Sequence, residues 1–194
     1  MDSGFIYELR GASWRNALKD LCRTWLPSTV VMAEIGCYAG ESTLVFARHC
    51  REVIAVDPWR DSFRSKITWG CSSSSMREQL KTHPPPPMDQ IRLLYNKRLG
   101  NCDNVTTLAM ASAQAARLVA DRTLDFVYID SIHSFRHVCR DIELWLPKIR
   151  PNGIIGGHDY SPEEWPGVVK AVKMEFGFPD EVFSDTSWVK RLAV

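Results

Sequence analysis

Apolar residues recur along this chain with two alternating periods. Trp14, Ala17, Leu18, Leu21, Cys22 and Trp25 share one face at helical spacing and Pro27 follows, which predicts a helix over 13–26. Thr29 to Ile35 is a compact block of β-branched and apolar residues, as in a strand buried on both faces. Gly36 and Gly40 come next, then a helical stretch over 41–49 and a second strand over 52–56 that stops at Asp57-Pro58. After an irregular stretch the alternation resumes: helix 88–99, strand 105–109, helix 112–120, strand 124–129, helix 135–146 and strand 153–157. A helix over 166–176 has Pro166 in its first turn and Gly177 behind it. Two short strands, 181–183 and 188–192, turn around Asp185. The pattern predicts an α/β fold. It is a doubly wound, mostly parallel seven-stranded sheet with helices on both faces and an antiparallel C-terminal edge hairpin.

The exception is Trp59 to Gln90, with four serines at 72–75 and four prolines at 84–87. The prolines force an extended path, and the stretch reads as an insertion loop, with an ordered lid as the alternative. Residues 1–28 form an amino-terminal helical segment, and a single domain over 1–194 is expected. Lys and Arg total 24 against 23 Asp and Glu, a balance that argues against nucleic-acid partners and anionic membrane surfaces. The longest uncharged run, 104–116, is too short and too polar to span a bilayer. Met1 to Arg10 lacks a basic-then-apolar signal pattern, so a cytoplasmic location is expected. Six scattered cysteines without a CxxC pair read as reduced thiols.

In a doubly wound sheet, ligands gather beyond the carboxyl ends of the strands. Polar residues follow nearly every strand here: Glu34 to Gly40, Asp57, Ser112, Asp130 to His133, and His158-Asp159. The glycine spacing is GxxxG, so the GxGxxG dinucleotide fingerprint is not met. Asp57, at the second strand end, suits the ribose hydroxyls of a nucleotide-like ligand. Each residue also has a plainer role open to it. The glycines serve a tight turn, Asp57 a turn carboxylate before Pro58, and Asp130 or Ser131 to Ser134 a helix cap. His133 fits a surface position, and His158-Asp159 a turn before Ser161-Pro162. Trp59 and Trp165 are candidates to wall a pocket.

The run EIGCYAGEST (34–43) resembles the first motif of class I S-adenosylmethionine-dependent methyltransferases, and VIAVDPW (53–59) resembles their second. LDFVYIDSIHSF (124–135), the helix carrying Asp141, and IRPNGIIGGHDY (149–160) are similar to the bacterial O-methyltransferase family that includes macrocin and mycinamicin sugar methyltransferases. The resemblance spans Val30 to about Val172. It implies that Glu34, Gly36, Tyr38 and Gly40 line the methionine part of the cofactor, Asp57 its ribose, and Ser112 its adenine. Asp130 is implied as a cofactor contact and a metal ligand or polar anchor at the reaction centre. His133 matches the family's catalytic base, and Asp159 completes a metal site with Asp130. His158 stands where the family usually has a carboxylate.

A sugar hydroxyl is a weak nucleophile and calls for a base with a pKa near neutrality, which histidine supplies. A divalent ion on Asp130, Asp159 and His158 would lower the acceptor pKa, with Mg2+ suited to oxygen ligands and Mn2+ to a set that includes histidine. The expected function is O-methylation of a small hydroxylated acceptor, such as a sugar or glycosylated metabolite, from S-adenosylmethionine. An NAD-type oxidoreductase and a non-catalytic cofactor-binding protein are the alternatives. With so little chain left to enclose an acceptor, either a homodimer completes the cover or the acceptor needs little enclosure.

Overall fold

The computed structural model describes residues 12–64 and 70–193. The start of the amino-terminal segment, with the signal-pattern reading, and residues 65–69 of the insertion lie outside them. The strands are β1 (Val31–Ile35), β2 (Glu52–Val56), β3 (Val105–Leu108), β4 (Leu124–Ile129), β5 (Ile149–Gly157), β6 (Glu181–Val182) and β7 (Trp188–Arg191). They form one sheet in the order β3-β2-β1-β4-β5-β7-β6. The first five are parallel, and β7 runs antiparallel to both β5 and β6. The expected seven-stranded mixed sheet with its C-terminal hairpin is present. Dinucleotide-binding sheets in the order 3-2-1-4-5-6 lack an antiparallel strand inserted at this place.

Strand alternation explains why the strand sequences are apolar throughout. On β4, Phe126 and Tyr128 face one layer while Val127 and Ile129 face the other. The first layer contains helices α1 (Ala12–Trp25) and α2 (Glu41–Ala47), packed through Leu18, Leu21, Cys22 and Phe46. The second contains α7 (Phe135–Trp145) and α8 (Pro166–Phe176), packed through Val138, Ile142, Trp145, Val168 and Val172. Both faces of the central strands β1 and β4 are therefore dry, as a parallel sheet requires, while the edge strand β3 exposes Thr106 and Thr107.

Three regions differ most from the sequence pattern. The helix expected over 112–120 is a single turn, α6 (Ser112–Ala115). Strand β5 begins earlier, at Ile149, because an irregular stretch around Pro151-Asn152 lets Ile149 pair with Leu124 before Ile154 pairs with Phe126. The insertion is more ordered than its serines and prolines suggested, with α3 (Asp61–Arg64) and α4 (Ser74–Thr82) ahead of α5 (Met88–Leu99). The proline run is extended as expected, with Pro87 at φ −52° and ψ 142° just before α5. All six cysteines are free thiols. Among the described residues, no helix is long and apolar enough to cross a membrane.

Candidate active site

The sheet itself fixes the residues at its carboxyl edge. Hydrogen bonds run one step past each strand: Gly36 N to Val56 O (2.8 Å), Asp130 N to Ile35 O (2.8 Å), Asp57 N to Leu108 O (3.3 Å) and His158 N to Ile129 O (3.1 Å). The strand order reverses between β1 and β4, so the loops after those two strands border the crevice where α/β sheets bind ligands. They touch. A Cβ on Gly36, which sits at φ +95°, would stand 2.2 Å from the Asp130 carbonyl oxygen. Only glycine fits there, on grounds of both conformation and space.

Three side chains converge beyond β4 and β5. His133 Nε2 lies 2.8 Å from Asp159 Oδ2 and 3.3 Å from Asp130 Oδ1, with side-chain exposures of 14%, 13% and 7% in that order. Each offers one ligand atom, and those atoms all lie within 4.8 Å of one another. Two carboxylates and one imidazole at this spacing fit a divalent cation by donor chemistry. Burial disfavours charge on His133, but the Asp159 carboxylate and the bonds to Asp130 and Asp159 outweigh it and raise the ring to about 9. Burial likewise opposes charge on Asp159, yet His133 and His158 hold its carboxyl well below the ordinary range. The carboxylates around the imidazole thus favour its charged form and raise it above the near-neutral value expected. Trp165 lies against the His133 ring with centroids 4.4 Å apart, so it does wall this cluster.

His158 is a correction. The expected metal set was Asp130, His158 and Asp159, but the clustered donors among the described residues are Asp130, His133 and Asp159. His158 stands behind Asp159, with Nδ1 2.9 Å from Asp159 Oδ1 and Nε2 turned towards Asp185.

The cofactor candidates fall into two groups. Asp57 is half-buried at the end of β2, and its carboxylate accepts bonds from the backbone N–H of Tyr38 (3.0 Å) and Trp59 (2.8 Å). Burial raises its carboxyl above the ordinary range against the pull of those amides. Trp59 Nε1 in turn donates to Tyr38 O at 2.8 Å, so this acid holds the first loop in shape, the turn role its alternative reading offered. The Cys37 amide also bonds this carboxylate, and the acceptor capacity left over is available to a ribose hydroxyl. Tyr38 is half-buried at φ 45°, and Gly40 at φ 76° closes the loop onto Cys37 O.

Glu34 is fully buried, whereas Ser112 is half-buried and engaged by its neighbours. Glu34 accepts a 2.5 Å hydrogen bond from Thr43 Oγ1, which ties β1 to α2. Ser112 Oγ donates to Asp141 Oδ1 (2.6 Å) and accepts from Trp145 Nε1 (2.9 Å). Ser131 Oγ donates to the other oxygen of Asp141 at 2.5 Å. Ser112 thus ties α6 to α7 through its hydroxyl, with one acceptor lone pair left.

A methyltransferase-domain model matches residues 33–160, from β1 to just past Asp159. The chain belongs to the methyltransferase-domain family. The matched stretch contains every residue of the clusters above except Trp165 and Asp185. Among solved structures, the chain is similar to the O-methyltransferase NovP, at 13% identity over 93% of this chain and 78% of that one, with a TM-score of 0.60. Rv0187 from MTB, solved cofactor-bound, aligns at 14% identity over 94% and 81%, with a TM-score of 0.59. An O-methyltransferase from Bacillus cereus in complex with SAH aligns at 15% identity over 97% and 84%, with a TM-score of 0.56. At these identities the likeness is one of fold. Some matched structures are larger: the chain spans 49% of the YcgJ protein of Bacillus and 25% of a Haemonchus contortus phosphoethanolamine N-methyltransferase. A comparison with the curated proteins finds no match.

Sequence patterning missed three contributors to this methyltransferase-domain site. Asp141 lies on the same buried face of α7 as Val138, Ile142 and Trp145, so an acid on an otherwise apolar stripe was the available signal. Gly70, at φ +98° in the insertion, packs where a Cβ would stand 2.5 Å from the His133 carbonyl oxygen. Asp185 was read only as a turn residue, and its side chain is 2% exposed beside His158. Among the other histidines, His49 bonds Leu26 O at 2.8 Å and His137 bonds Ser134 Oγ at 2.7 Å, both structural roles.

Proposed function

We propose that this chain catalyses S-adenosylmethionine-dependent O-methylation of a small hydroxylated acceptor, such as a sugar or a glycosylated metabolite. The observation that carries the reading is the half-buried cluster of Asp130, His133 and Asp159 beside the Gly36 loop, at the point where the sheet order reverses. The O-methyltransferases among the structures of the same fold support it, as does one of them holding SAH.

Methyl transfer from a sulfonium is an in-line displacement, so the protein's work is to align the acceptor oxygen and remove its proton. In this reading the loop from Gly36 to Gly40 and Asp57 hold the cofactor, with the ribose on the remaining lone pairs of Asp57. His133 takes the acceptor proton at Nδ1, its ring nitrogen without a hydrogen-bond partner, while its Nε2–H donates to the two carboxylates. To act as a base the ring must first give up the proton that Asp130 and Asp159 favour on it, its pKa being raised to about 9, and the two carboxylates then stabilise the imidazolium that re-forms. Trp165 limits the freedom of the ring and keeps water from one side of it. Asp130 and Asp159 are also the residues to hold Mg2+ or Mn2+, which would supply Lewis acidity towards the acceptor oxygen.

The reading is tested with radiolabelled S-adenosylmethionine and a panel of sugars and glycosides, with and without chelator. Label should pass to a hydroxylated acceptor and be lost in His133→Ala. Transfer confined to amines or thiols, or undiminished in His133→Ala, would contradict it.

A further inference from the structure

Asp159 is gripped from both sides. Its Oδ2 meets His133 Nε2 at 2.8 Å, and its Oδ1 meets His158 Nδ1 at 2.9 Å. Behind His158 stands another carboxylate, with Asp185 Oδ2 4.0 Å from His158 Nε2. The side chains of His158 and Asp185 are 8% and 2% exposed, so this pair is shielded from solvent. Asp185 is itself fixed: the backbone N–H and the hydroxyl of Ser187 both donate to it at 3.0 Å, and Ser187 Oγ pairs with Tyr128 OH at 2.8 Å. The turn carrying Asp185 is stitched to the site by Tyr160 N donating to Thr186 O at 3.0 Å.

From this geometry we infer that His158 and Asp185 are positioning residues that fix the Asp159 carboxylate for its partner His133. The inference rests on the reading of Asp130, His133 and Asp159 as the reaction centre. Asp159 needs such support because its backbone stands at φ 63°, a conformation non-glycine residues hold only when their surroundings impose it. A carboxylate anchored through one oxygen alone can rotate about its side-chain bonds, and a second imidazole 2.9 Å from the other oxygen restrains that freedom by contact and charge. Asp185 opposite His158 favours the ring orientation that presents Nδ1 to Asp159, as a carboxylate behind an imidazole does in other sites. The C-terminal hairpin, which follows the last candidate of the sequence pattern, then contributes to the site through one side chain.

The test uses the full chain labelled with 15N in its histidine rings, with the five histidines assigned from single His→Gln variants. Asp159→Asn sets the reference by moving the ring signals of both His133 and His158. Asp185→Asn should move the His133 signals as well as those of His158, with a cooperative thermal transition retained. If His158 responds and His133 stays in place, the inference is overturned. Should Asp185→Asn fail to fold, His158→Gln breaks the same chain at its middle and must also move His133. This readout requires neither acceptor nor turnover, so absent methyl transfer would count against the proposed function alone. Where transfer is measured, Asp185→Asn should lower kcat on the order of 10-fold to 100-fold. It should leave KM for S-adenosylmethionine within about twofold and cost nothing further in an Asp159→Asn background, whereas a full additional loss there overturns the inference.

Discussion

Ser112→Ala separates two roles for one hydroxyl. In the structure Ser112 Oγ donates to the buried Asp141 at 2.6 Å and accepts from the indole of Trp145 at 2.9 Å. Trp145 is fully buried. Removing the hydroxyl deletes a bond to a carboxylate, worth about 1.5–3 kcal/mol, and strands a buried N–H donor at about 1–3 kcal/mol. Allowing for overlap between these costs, the loss should be roughly 3 kcal/mol. For a chain of this size that corresponds to a fall in Tm of about 6–12 °C. Urea unfolding followed by tryptophan fluorescence reads it as a lower midpoint at unchanged slope. Calorimetric titration with S-adenosylhomocysteine on the same variant should give an affinity within about threefold of the parent, since the hydroxyl faces α7 and not the crevice. A variant as stable as the parent but with lost S-adenosylhomocysteine binding would refute this assignment and return Ser112 to the adenine.

Three further substitutions follow. His133→Ala should lower turnover by about 10²–10⁴-fold at nearly unchanged cofactor affinity, because a base acts in the chemical step. Loss of S-adenosylhomocysteine binding in that variant would count against the base role. Asp57→Ala should act the other way, weakening S-adenosylhomocysteine about tenfold or more by calorimetry, since it removes a ribose partner and frees the Tyr38 and Trp59 amides. Equal affinity in parent and variant would show that Asp57 serves the loop alone. Gly36→Ala should destabilise the fold by at least about 2 kcal/mol in urea, from a positive φ and a Cβ driven into the Asp130 carbonyl. A neutral result would mean that the two loops separate easily.

The sequence pattern made the sheet legible because a strand buried on both faces reads as an unbroken apolar run. Every strand from β1 to β4 lies within two residues of its expected bounds. Order within the insertion was hidden, since α4 opens on the serines that marked it as irregular. At the site, strand-end position was a sound guide to which residues assemble: Asp130, His133 and Asp159 are separated in sequence and meet in space. Side-chain direction was not legible. His158 and Asp159 are neighbours in sequence, yet one belongs to the cluster and the other stands behind it. Glu34 shows the same limit, because strand alternation turns it inward to Thr43 and away from the crevice that its place at a strand end suggested. Asp185 could not be placed from sequence, since its partner lies on another strand and only the β5–β7 pairing brings them together.

The central claim, a methyl-donor site coupled to the carboxylate–imidazole cluster, is tested most directly by calorimetric titration with S-adenosylhomocysteine in the presence and absence of Mg2+ or Mn2+. The account predicts one-to-one binding that Asp57→Ala weakens, and a separate heat of divalent-metal binding that Asp130→Asn or Asp159→Asn abolishes. Binding of NADH with no response to S-adenosylhomocysteine would contradict it.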